Sequence, residues 1–211
     1  LGKKYTAEQT KNMILDTSAV LFIKKGYEQT SISDIVSGLD GLTRGAVYHH
    51  FDSKHDIIVG IADRFVLKKE ILRRIKEKSE LNGLEKIQEI LLESMFNKEI
   101  MSSTKNSLAL LTDPTFSSLY NCQIVNNLSP EIESCIKEGM ADGSIETESP
   151  KQMSEVVLLL ISTWFIQSLF PNTLETFVDK LKTAQFVLKA SGIDVLSEKI
   201  VDKILEEVTL D

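Results

Sequence analysis

Four helix starts crowd into the first 56 residues of this 211-residue chain. Thr6 with Gln9, Ser31 with Asp34 and Ser53 with Asp56 each set a side-chain acceptor at a helix entrance and a second polar side chain three residues on. At that spacing the two side chains satisfy each other's free backbone donors. Thr43 stands in the capping position before "RGAVYHH". The second and third of these helices must be short. Leu15, Ala19 and Phe22 recur at helical spacing until Gly26 closes the first, and Ile32, Ile35 and Val36 mark the second. Gly38 and Gly41 bracket a turn, and the third helix runs from Arg44 to about His50. The fourth is expected to be long, from Ser53 to about Lys78.

Downstream the punctuation continues. Asn82 with Glu85 opens a helix, and Pro114 separates a short helix from another around Thr115–Asn127. Ser129-Pro130 and Ser149-Pro150 each offer proline at a first helical position, where its missing donor costs nothing, and Gln152 completes a capping box with Ser149. Asn172 with Glu175 restarts the chain after Pro171, and Gly192 precedes a final helix at 194–208. No alternating strand pattern of useful length and no internal repeat accompany these signals. The expected class is all-α: an N-terminal three-helix head followed by a helical bundle, divided as residues 1–52 and 53–211.

Two short helices joined by a tight glycine-containing turn and braced by an amphipathic first helix describe a helix-turn-helix. The DNA major groove admits one helix, and the reading helix touches with its N-terminal end. Here that end carries the small residues Gly45 and Ala46, which permit close approach. Val47 and Phe51, four apart, face inward as anchors, leaving Arg44, Tyr48 and His49 outward, with His50 at the margin. Arginine forks onto guanine or phosphate, and tyrosine and histidine donate to phosphate while lying on sugar. Free N–H groups at Ser31 and Ser53 offer two further anion sites, and Lys54 adds charge beside the second. The alternatives are a core role for Tyr48 and a half-buried spacer role for His50.

Charge follows the same division. The net charge is −7, yet residues 1–54 hold seven Lys/Arg against six acids, and residues 55–211 hold 17 against 25. An acidic body with a near-neutral head suits a protein that presents one small face to a polyanion. A metal site built from His49, His50, Asp52 and His55 is disfavoured, because adjacent helical residues point about 100° apart. No Ser/His/Asp arrangement, phosphate loop or paired-carboxylate motif is present, so neither enzyme activity nor a cofactor or metal is expected. Cys122 and Cys135 lack metal-ligand spacing and suit a reducing compartment, a disulfide between them being the alternative. The first ten residues do not read as a signal peptide, and the most apolar run, Val156–Phe170, falls short of the ~20 residues a bilayer span requires. The expectation is a cytoplasmic protein without a membrane partner.

The stretch "LFIKKGYEQTSISDIVSGLDGLTRGAVYHHFDSKHDI", Leu21 to Ile57, resembles the head of the tetracycline-repressor-like (TetR) family of bacterial transcriptional regulators. The aromatic, glycine and lysine positions agree along its length. The resemblance implies a repressor that binds double-stranded palindromic operator DNA as a homodimer and is released by a small-molecule effector. It implies DNA contacts from Thr30, Ser31, Thr43, Arg44, Gly45, Tyr48, His49 and Lys54. It also implies a C-terminal portion that dimerises and senses. The rival expectation is a helical protein-interaction module whose DNA-binding head has drifted.

In the body, the helix expected over 150–170 is apolar almost all round its second half and calls for cover on more than one side. With the helix at about 173–190 it suits an intersubunit four-helix bundle; the competing reading is the core helix of a monomer. Candidate effector-binding residues are Phe65, Phe96, Met101, Phe116, Tyr120 and Trp164, with Gln123 and Gln167 as polar orienters, for an apolar or cationic ligand. Aromatics at helical spacing are more often core filler.

Overall fold

The computed structural model describes residues 5–166, 169–171 and 173–209. Among these the chain is helical and without strands: α1 Ala7–Lys25, α2 Ile32–Ser37, α3 Arg44–His50, α4 Lys54–Asp63, α5 Lys69–Lys76, α6 Gly83–Phe96, α7 Lys98–Thr104, α8 Pro114–Asp142, α9 Pro150–Ile161, α10 Leu174–Ala190 and α11 Glu198–Thr209. Short 3₁₀ segments cover Lys105–Thr112 and Thr163–Phe165. Two compact units emerge, one formed by the described part of Leu1–Phe65 with Glu99–Tyr120, the other by Val66–Lys98 with the described part of Asn121–Asp211. The unit that carries the head therefore extends past residue 52 and recruits a later segment of chain.

The head forms as its caps dictate. Thr6 and Gln9 bond reciprocally at the entrance of α1, and Gly26 closes it at φ +85°, a backbone region open to glycine. Ser31 and Asp34 make the same box for α2, and Thr43 and Ser53 cap α3 and α4 by accepting from Ala46 and Asp56 N–H. Ile14, Leu15, Ala19 and Phe22 of α1 meet Ile35, Val47, Phe51, Ile57, Ile58 and Ile61, with Leu110 and Phe116 completing the core. The 3₁₀ segment Lys105–Thr112 packs against α1, which is why the head is more than its first residues.

Four expectations fail, three of them where tertiary contact overrides a local signal. The long fourth helix ends at Asp63, with no glycine or proline to break it. Instead the Arg64 guanidinium reaches α1, donating to Asp16 Oδ1 at 2.6 Å and Asn12 Oδ1 at 2.8 Å. Phe65 then turns edge-on to Phe116 and Tyr120, ring centroids 5.6 and 5.8 Å away. Ser129-Pro130 starts nothing: Pro130 lies inside α8, which spans 29 residues. Such a proline removes one helical hydrogen bond and costs about 3 kcal/mol, so the surrounding helix is held by its packing. The helix expected over 150–170 stops at Ile161. There the Thr163 hydroxyl donates to Asn121 Oδ1 (2.9 Å), and the Lys180 ammonium donates to the Phe170 carbonyl (3.0 Å). Pro150 does occupy the first position of α9, but Ser149 makes no side-chain cap and the box with Gln152 does not form. The expected Asn172 cap lies outside the described residues; α10 opens on Thr173, boxed with Thr176.

In the second unit the start of α6 is fastened twice. Its own Asn82–Glu85 box is joined by Asp142 Oδ2 accepting from Gly83 N at 2.8 Å and Ser144 Oγ accepting from Leu84 N at 3.3 Å. Gly83 is pressed so closely on α8 that a Cβ there would lie 2.2 Å from Gly139 N. Behind it Lys86, almost wholly buried, donates to Glu138 Oε1 at 2.5 Å.

Ser18, on the buried face of α1, is fully buried, and its hydroxyl has no hydrogen-bond partner. An unpaired buried polar group is a cost, and alanine is the better helix former. Ser18→Ala is expected to stabilise the protein by about 1 kcal/mol. The check is the urea midpoint, which should rise with no change in slope.

Candidate nucleic-acid interface

α3 is oriented from beneath. Val47 is fully buried and Phe51 nearly so, and these two fix the helix by one face. The opposite face is left to Arg44, Gly45, Tyr48 and His49, all exposed, with Thr43 exposed at the cap. Tyr48 keeps 42% of its surface open, so the core role for it does not apply. Arg44 Nη2 donates to the Tyr48 hydroxyl at 3.3 Å, and its guanidinium carbon stands 5.6 Å from the ring centroid. The arginine is thereby held along the helix rather than free in solvent, an arrangement that would lose less entropy on meeting a partner. A Cβ on Gly45 would meet only Thr43 Oγ1, at 3.7 Å, so this surface is open to a close neighbour.

The histidines do not converge. The rings of His49 and His50 stand edge to face at 5.3 Å between centroids. His50 is half-buried, as its spacer reading has it, and burial is the first cause of its lowered pKa, followed by His49 and Lys11. Among the described residues no three of His, Cys, Asp or Glu form a metal-holding group.

The remaining expected contacts are placed differently from one another. Ser31 is exposed, yet its hydroxyl donates to Asp34 Oδ2 at 2.6 Å and its N–H to the same oxygen at 2.7 Å. That N–H is not free for an anion. The Lys25 ammonium donates to Asp34 Oδ2 as well, at 2.8 Å. Lys25 first, then Ser31, hold the Asp34 carboxyl well below the usual carboxylate range. Thr30 is buried, its hydroxyl donating to the Gly26 carbonyl at 2.8 Å. Lys54 reaches back across the head and donates to the carbonyls of Tyr27 (2.7 Å) and Glu28 (3.2 Å). Sequence reasoning saw neither the Lys25–Asp34 pair nor the Lys54 anchor; the partners are nine and 27 residues apart, beyond any capping rule.

The effector candidates divide between the units. Phe65, Phe116 and Tyr120 form the aromatic cluster of the first, with Phe116 fully buried in its core, and Met101 is exposed on α7. In the second unit, Gln123 accepts from the Asn127 amide, and Trp164 lies tilted against Phe165. Gln167 lies outside the described residues. Phe96 alone of the candidates lines the cleft between α6 and α11, about 490 Å³, with Leu81, Leu92 and Ile200 as its apolar part. Glu85, Glu89, Glu93 and Glu207 face Lys199 and Lys203 around it.

Comparison with known proteins shows what the head is similar to. Residues 14–61 match the model of the bacterial regulatory proteins of the tetR family. The chain is similar to the probable HTH-type transcriptional regulator ArpR of Pseudomonas putida, 31% identical over 101 residues that make up 47% of each chain. It is similar to the same extent to the HTH-type transcriptional regulator TtgR, also of Pseudomonas putida, at 30% over 101 residues and again 47% of each. The matched part thus spans about half the length of these relatives. Among solved structures, NalD of Pseudomonas aeruginosa superposes with a TM-score of 0.65 at 21% identity, over 88% of this chain and 96% of that one. It shares the fold.

Proposed function

We propose that this chain, whose head belongs to the tetR family of bacterial regulatory proteins, is a regulator of transcription that binds palindromic operator DNA as a homodimer. The face that reads DNA lies within residues 1–52, on a unit that also takes in α4 with Lys54, and the pairing and sensing surfaces lie within residues 53–211. The observation that carries this reading is the outward face of α3, with Arg44 braced on Tyr48 over buried Val47 and Phe51. Arg44 reads a guanine edge or clamps a phosphate, and Tyr48, His49 and Thr43 lie against the backbone. Gly45 lets α3 come close. Ser31, whose hydroxyl and N–H are given to Asp34, serves with Thr30 and Lys54 by holding the head in shape. Two such heads, one DNA turn (about 34 Å) or a multiple apart, match a two-fold operator.

Pairing is supported by apolar side chains left open on the last long helices of the second unit. Phe186 is 73% exposed, and Leu159, Leu174 and Val187 are also exposed. A second copy laying α9 and α10 against the same helices covers them in a four-helix arrangement. The regulator acts as a repressor that an apolar or cationic small molecule releases. The α6–α11 cleft suits that chemistry, because its apolar residues are flanked by four glutamates against two lysines. The effector works only through its different affinity for the DNA-bound and released arrangements. A coupling of about 1–3 kcal/mol loosens the operator by about 5–150-fold.

Retardation of duplex DNA at low salt separates a DNA-binding regulator from a protein-interaction module, since electrostatic binding to any duplex precedes sequence reading. With a duplex selected from a random pool, Arg44→Ala is expected to weaken binding by about 1–3 kcal/mol and Tyr48→Ala to follow it, both remaining folded. Retained affinity in both, measured by fluorescence anisotropy, would remove α3 from the interface. Phe186→Glu is expected to convert the dimer to a monomer in light scattering, and a wild type that is already monomeric would end the pairing proposal.

A further inference from the structure

Lys54 opens α4, yet its ammonium is spent on another part of the head. It donates to the Tyr27 carbonyl at 2.7 Å and the Glu28 carbonyl at 3.2 Å, and it stands 4.3 Å from the centroid of the Tyr27 ring. That ring in turn packs edge-on against Phe22 of the core, centroids 5.2 Å apart. The Tyr27 carbonyl also accepts from Thr30 N, at 3.3 Å, and the Thr30 hydroxyl holds the Gly26 carbonyl. The next residue is Ser31, the cap of α2. One ammonium therefore ties the first turn of α4 to the turn that delivers α2. An ammonium has three hydrogens. With two on carbonyls and the charge over a ring, turning it toward a phosphate would break contacts that the turn depends on.

Resting on the regulator reading above, we infer that Lys54 is a positioning residue: it holds the Tyr27–Glu28 turn, and through it α2 and α3, in the one arrangement in which Arg44 meets base edges. The physical basis is the difference between the two kinds of DNA binding. Attachment to any duplex depends on the number of phosphates neutralised and tolerates a loosened head. Reading a base edge requires hydrogen-bond geometry and does not. Loss of the Lys54 clamp therefore erodes selectivity before it erodes attachment. A lysine that contacted phosphate would do the opposite, weakening all sequences alike and lowering the salt dependence.

The experiment uses the full chain, a duplex selected on the wild type from a random pool, and a random duplex of equal length. Affinities are measured across a salt series for wild type, Lys54→Met, Lys54→Arg and Tyr27→Leu, with circular dichroism to establish folding. For Lys54→Met the selected-to-random affinity ratio is expected to fall about tenfold, a loss of the size of one mismatched base pair. Its salt slope on the random duplex should equal that of wild type, and Lys54→Arg should recover the ratio. Lower stability alone would reduce both affinities by the same factor and leave the ratio unchanged. A slope smaller by about 0.9 with the ratio intact would mean direct phosphate contact and overturn the inference; so would an unchanged ratio and slope. If Lys54→Met does not fold, Tyr27→Leu, which removes the ring beneath the ammonium, decides by the same two readings. A wild type that binds neither duplex at low salt defeats the regulator reading itself, and this inference with it.

Discussion

Burial of Val47 and Phe51 in the core of the head is the constraint on which the candidate interface depends. A helix of seven residues is too short to hold itself in water, so α3 owes its existence to packing and a cap. Because one face is committed to the core of the head, the other is defined without further instruction. Arg44, Tyr48 and His49 are outward because Val47 is inward. The 3.6-residue repeat converts a single buried valine into a defined solvent-facing surface, the candidate interface.

Around that anchor the head is stitched by polar contacts at its surface. Asp34 accepts from Lys25 and twice from Ser31, and Lys54 closes the other side of the same turn on Tyr27 and Glu28. Exposed ion pairs contribute little individually. The value of the Lys25–Asp34 pair, and of the Lys54 bonds to two carbonyls, is geometric, since each fixes the start of a helix. Lys54, a charged candidate for a DNA contact in the sequence, is thus consumed in holding the head together, and the candidate interface narrows to α3 and its cap.

The second unit solves a different problem. The entrance of α6 is buried against α8, where water cannot satisfy its free N–H groups, so Asp142 and Ser144 do so from the end of α8 and the turn that follows. The approach of Gly83 to Gly139 follows from the same contact. Lys86, almost wholly buried, is matched by Glu138. Removing one partner of such a pair costs more than the pair contributes, so it specifies which faces of α6 and α8 meet more than it stabilises them.

Much of this was legible in order of sequence distance. Capping boxes at Thr6, Ser31 and Asn82 formed as expected, because donor and acceptor lie three residues apart and no other part of the chain is needed to complete them. The outward set on α3 was legible for the same reason, from the inward spacing of Val47 and Phe51. The end of α4 was not, because Arg64 ends it by reaching Asp16, 48 residues earlier. Nor was the end of α9, where Thr163 meets Asn121. The place of Pro130 inside a helix and the inward turn of Thr30 and Lys54 belong to the same group. By itself, then, the order of residues determined the helical class, most of the helix starts and the face of α3 that meets solvent, since these follow from hydrogen bonds and periodicity within a few residues. Tertiary structure alone decided where α4 and α9 stop and which of the expected contact residues remain free, because those outcomes depend on partners that only folding brings within hydrogen-bond reach.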